Sequence, residues 1–187
     1  MKKLITLLLV LVSVGGYSQS KYVKKITSLE ELERFNDTIE NIKTNFNGDN
    51  YVDSVLILLN EYRKSNGVEI VTISESLSNV AHLQSQYCAD NLIVTHKQNE
   101  ESLESSFKRG WLFGEYDVIG EIVIERNIKN TLIREETISE SIIEGFKRSN
   151  GHSYIMKKPN NVRCGISIIQ SEKDKNKYFT VIVFSDI

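Results

Sequence analysis

The chain of 187 residues has one proline, two cysteines, one tryptophan and three histidines. Two cysteines are too few for a disulfide-stapled scaffold, so stability has to come from a packed core. With a single proline and no repeat or low-complexity tract, semi-rigid linkers and solenoid arrays are excluded. Positive charge is not in excess either: 23 Lys and Arg face 25 Asp and Glu. A nucleic-acid partner would need clustered cationic surface, and this balance argues against one. Long apolar runs are missing apart from Leu4 to Val14, roughly half of the ~20 residues that a spanning helix requires.

That one run has a recognisable setting. Lys2 and Lys3 precede it, and Gly15-Gly16-Tyr17-Ser18-Gln19-Ser20 follows. A basic start, a short apolar segment and a small or polar cleavage zone form a secretory signal, here residues 1–20, with the cut expected between Gly16 and Lys21. No cysteine lies near that zone to carry a lipid anchor. The mature chain is expected outside the cytoplasm, secreted or periplasmic. It carries 21 basic and 25 acidic residues, net −4, with no second apolar segment long enough to span a membrane. About 167 residues suffice for one domain. Export permits a Cys88–Cys164 disulfide, but two separately buried thiols are equally ordinary.

Apolar spacing by threes and fours predicts four helices. The first opens on Ser28-Leu29-Glu30-Glu31, a capping-box form, and runs to Asn47-Gly48 as an extension over residues 21–49. The second covers Tyr51 to Lys64 and stops at Ser65-Asn66-Gly67, with Gly67 suited to a left-handed cap. A third, capped by Thr72 or Ser74, runs to about Asp90 and buries Leu77, Val80, Ala81, Gln84 or Tyr87, and Cys88. A fourth, capped by Thr137 or Ser139, closes near Asn150-Gly151. Lys108 to Gly120 reads as a structured loop whose rings, Trp111, Phe113 and Tyr116, need burial. Val162–Ile169 and Lys177–Phe184 form a hairpin around the charged segment 170–176. Helices first and an antiparallel pair last make an α+β layered domain.

Three local clusters carry titratable chemistry: Thr95-His96, Gly120-Glu121 entering an apolar strand, and Ser149-Asn150-Gly151-His152. Histidines separated this widely form no compact metal motif. His82 falls off the apolar face of its helix and reads as solvated. Ser149 lies three residues before His152, yet nothing identifies the rest of a nucleophilic triad, and a helix-end serine bonded to backbone is the better reading.

The order of the clusters is more specific than any one of them. Asn60, Arg63 and Gly67, then Leu77 and Ala81, then Thr95-His96, Gly120-Glu121, Ser149-Asn150-Gly151-His152 and Cys164-Gly165-Ile166 resemble the CAP superfamily. That superfamily comprises cysteine-rich secretory proteins, antigen 5, pathogenesis-related proteins and bacterial SCP-like proteins. The resemblance spans residues 50–187 and implies an α–β–α sandwich with a central antiparallel sheet and a surface cleft. By the same resemblance His96 and His152 are the cleft histidines and metal ligands, with Zn²⁺ the expected ion. Glu121 is the glutamate of the Gly-Glu-Asn motif and the candidate catalytic group. Three departures leave the set incomplete: Ile122 follows Glu121 instead of Asn, Phe146 replaces Trp, and Ser149 stands where animal members carry a second Glu. The expectation is therefore a non-catalytic extracellular module taking a lipid, peptide or envelope component. A zinc-assisted hydrolase using Glu121 as base is the alternative.

Overall fold

The computed structural model describes residues 26–134 and 136–186; the expected signal segment lies outside the described residues. In chain order the elements are α1 (Leu29–Asn45), α2 (Asp49–Ser65), β1 (Thr72–Ile73), α3 (Glu75–Asn91), a 3₁₀ turn (Glu101–Leu103) and α4 (Ser106–Trp111). They continue with β2 (Val118–Asn127), α5 (Ile128–Ile133), α6 (Ile138–Lys147), α7 (Asn150–Met156), β3 (Arg163–Gln170) and β4 (Lys177–Ser185).

Helix starts follow side-chain capping chemistry. Ser28 accepts the Glu31 amide, while the Glu31 carboxylate takes the amide and hydroxyl of Thr27. The reciprocal half of the capping box thus falls one residue early. Of the two candidates before α3 the cap is Ser74, and of those before α6 it is Thr137, which forms a complete capping box with Glu140. Gly67 adopts φ +71°, the left-handed turn beyond α2.

The sheet order is β1-β3-β4-β2. β4 pairs antiparallel with both β2 and β3, as expected, whereas the two-residue β1 adds a parallel edge to β3. Strand alternation sends side chains into two cores. Ile122, Cys164, Ile166, Ile168, Tyr178, Ile182 and Phe184 join α2, α6 and α7 on one face. Val123, Phe179, Val181 and Val183 join Leu77, Val80, Ala81, Cys88 and Ala89 of α3 on the other. This is a three-layer α–β–α sandwich. Gly165 permits a close approach of β3 to α3, because a Cβ there would overlap the Leu77 carbonyl and the Ser78 amide. The cysteines lie in different cores, both as buried free thiols; burial pushes Cys164 up to about 12.

The motif residues of α2 are clamps. Asn60 takes both the amide and the carbonyl of Val71, each at 2.9 Å, and so sets the strand-like link before α3. Arg63 is fully buried and faces carbonyls: Glu69 at 2.7 Å, Met156 at 2.6 Å, Lys158 at 3.2 Å and Asn161 at 3.0 Å. It therefore ties α2 to the chain that leaves α7.

Two expectations are corrected. Residues 108–120 do not bury their rings: Trp111 is 52% and Tyr116 64% exposed, and Phe113 is also open. Arg109, Gly110 and Glu115 occupy the interior instead, with Glu115 held by Arg163 at 2.9 and 3.0 Å and by Ser76. Burial disfavours the Glu115 carboxylate, but these donors outweigh it and hold its pKa below the ordinary value. α6 closes at Lys147, short of the Asn150-Gly151 end expected for the fourth helix. The chain turns at Arg148-Ser149 and starts α7, so His152 sits within a helix.

Candidate functional site

His96 owes its position to a polar network around the end of α3. Leu92 turns the chain with φ 53°. Gln84 of α3 then donates to the Thr95 carbonyl at 2.6 Å, and Gln98 donates to the Leu83 carbonyl at 3.1 Å and to the Gln84 side chain at 3.2 Å. Held on both sides, His96 projects outward with its side chain 55% exposed.

Glu121 lies on β2, an edge strand, and its side chain alternates with Ile122 so as to share the α3 face with Val123. Its neighbour Gly120 turns to the opposite layer, where a Cβ would come within 3.0 Å of Ile155 in α7. The Glu121 carboxylate is buried and doubly engaged. One oxygen is 2.9 Å from His96 Nδ1, and the other is 2.5 Å from Nη2 of the fully buried Arg109.

His152 comes from the other layer. Its amide donates to the capping Ser149 hydroxyl at 3.4 Å, the local backbone role expected of that serine. Its ring packs edge-on against Phe146 at 5.2 Å, and its Nδ1 is buried without a hydrogen-bond partner. Burial lowers the His152 pKa, and the charge of a protonated His96 lowers it further. The two imidazoles, one from each helical layer, thus sense each other's charge.

The structure accordingly brings His96 and Glu121 into contact, while His152 is linked to them only through its response to the charge of His96. His82 is exposed, as expected. Sequence reasoning missed Arg109 and Gln98, and named Gln84 only as a candidate for burial on the third helix. An arginine in a polar stretch reads as solvated, and only the fold shows it opposite Glu121. For zinc the donor set is short. Among the described residues no group of three or more His, Cys, Asp or Glu side chains is arranged to hold a metal, and the Glu121 oxygens already have partners. Two imidazoles fall below the three protein ligands of catalytic zinc sites.

Fold and site together define a class, a three-layer α–β–α domain with a His96–Glu121–Arg109 network at a sheet edge. Residues 56–184 match the family model described as CAP, the cysteine-rich secretory protein family, and the chain belongs to that family. Among solved structures it is similar to an outer surface protein from Borrelia burgdorferi (TM-score 0.56, 14% identity, covering 71% of this chain and 90% of that one). It is also similar to an extracellular protein containing a SCP domain from Bacillus anthracis (TM-score 0.55, 12% identity, covering 87% of this chain and 45% of that one). At these identities the likeness is one of fold. No curated protein matches the sequence.

Proposed function

We propose that this chain is an exported binding module that takes its ligand at the His96/His152 site without covalent chemistry of its own. The observation carrying this reading is the state of Glu121: with one oxygen on Arg109 and the other on His96, the group a hydrolase would use as base is already committed. The two imidazoles differ in character. His96 turns Nδ1 to Glu121, so its proton lies there and Nε2 accepts. His152 buries Nδ1 unpaired, and because an orphaned N–H is rarer in proteins than an orphaned acceptor, its proton belongs on Nε2, which donates. One acceptor beside one donor fits an amide or hydroxyl, groups present on peptides, lipids and envelope components alike.

Zinc would demand lone pairs on both outward nitrogens and drive the His152 proton onto the buried Nδ1. Bound there, the ion would supply a Lewis-acidic position with open coordination sites. The reading therefore includes zinc only as a weak ligand. The expected export rests on residues 1–20 and agrees with relatives described as outer surface and extracellular proteins. Among the described residues no helix is long and apolar enough to cross a membrane.

Calorimetric zinc titration tests the site. The wild-type protein should give a weak heat of one ion per chain, and the His96→Ala/His152→Ala variant, still folded, should give none. Identical isotherms from the two proteins would remove this site from consideration.

A further inference from the structure

The deepest side chain at the site belongs to Arg109. It is wholly buried on the six-residue helix α4, and its guanidinium serves three groups. Nη2 holds the Glu121 carboxylate, Nη1 donates to the Leu103 carbonyl at 2.7 Å, and the same nitrogen reaches the carbonyl of His96 itself at 3.5 Å. His96 is therefore gripped twice through one cation, at its main chain directly and at its ring through Glu121. Gly110, the next residue, packs against the Glu115 backbone, where a Cβ would come within 2.5 Å of the carbonyl oxygen. Glu115 is itself held by Arg163, so α4 packs through Gly110 on an anchored segment.

We infer that Arg109 is the positioning residue of this site: by fixing the Glu121 carboxylate against His96 it keeps the ring proton on Nδ1 and presents a bare Nε2 to whatever binds. A free histidine prefers its proton on Nε2, so the opposite tautomer has to be imposed by the partner of Nδ1. Glu121 can impose it only while its oxygen is held 2.9 Å from Nδ1, and the other oxygen of that carboxylate is fixed by Arg109. Remove Arg109 and the carboxylate loses one of its two holds, so it is no longer fixed against the imidazole proton. The inference rests on the proposed use of His96 Nε2 as an acceptor, and it gives Arg109 the control of that property.

The test is nitrogen-15 NMR of the histidine side chains in the metal-free, full mature protein, at a pH where imidazoles are neutral. Wild type should show His96 protonated at Nδ1. In Arg109→Met that signature should be lost at His96, while His152, which makes no contact with Arg109, keeps its own. A wild-type His96 protonated at Nε2 overturns the inference with no variant needed. So does an Arg109→Met protein that retains the Nδ1 proton, or one in which His96 and His152 change together, the mark of a merely structural loss. No ligand enters this measurement. A site that binds nothing would defeat the proposed function and leave the tautomer result intact.

Discussion

At the scale of single residues the site is an exercise in charge placed out of water. Arg109 and Glu121 are both buried, and a pair of that kind is costly to break from one side because the survivor is stranded. Arg109→Met should lower unfolding stability by about 3–5 kcal/mol, measured by urea denaturation, whereas loss of an exposed pair such as Arg34–Glu30 should register less than about 1 kcal/mol. His152 adds a pH dependence whose sign is fixed. Its pKa is depressed on folding, so between that lowered value and about 6.5 the unfolded chain binds more protons than the folded one. Stability should be full above pH 6.5 and fall as pH drops through this window. His152→Asn should flatten that part of a stability–pH profile, and a slope unchanged in the variant would assign it to another group.

Elements are held less by their own propensity than by a few side chains that reach across to other elements. The Asn60 amide spans eleven residues to Val71 and spares the short link before α3 two unpaired backbone groups. Asn60→Leu should cost about 1–3 kcal/mol, read from chemical denaturation, and should loosen exchange protection around Val71. Gly165→Ala should cost about 1–3 kcal/mol or more, since the added methyl meets backbone of α3 instead of a side chain able to swing away. The four long helices, the hairpin and β2 were legible because apolar period and capping residues report directly on local structure. Ser28, Ser74 and Thr137 all cap where they stand. The short α4, α5 and α7 were not legible. A helix of six or seven residues shows no full period and is stabilised by what it packs on. The same cause hid one part of the candidate site. His96, His152 and Glu121 could be picked out by residue type and order, but Arg109 matters through a helix too short to be read, in a segment whose aromatic residues pointed to burial and turned outward.

For the molecule as a whole, the sheet is a partition. Cys88 sits in the core shared with α3, and Cys164 in the core shared with α2, α6 and α7. With both thiols buried and a sheet between their layers, reductant should leave the Tm unchanged. Both cysteines should react with a thiol reagent only after unfolding. A drop in Tm on reduction would reveal a bridge absent from this arrangement. The clamp at Arg63 fastens α2 to Met156, Lys158 and Asn161 and so keeps the layer that carries His152 in register with its own helices.

Because His96 is anchored to one helical layer and His152 to the other, a guest touching both rings would work as a staple laid across the rim of the sandwich. Its arrival should be felt as slower amide exchange at the end of α3 and in α7 at once, two regions that have no other reason to respond together.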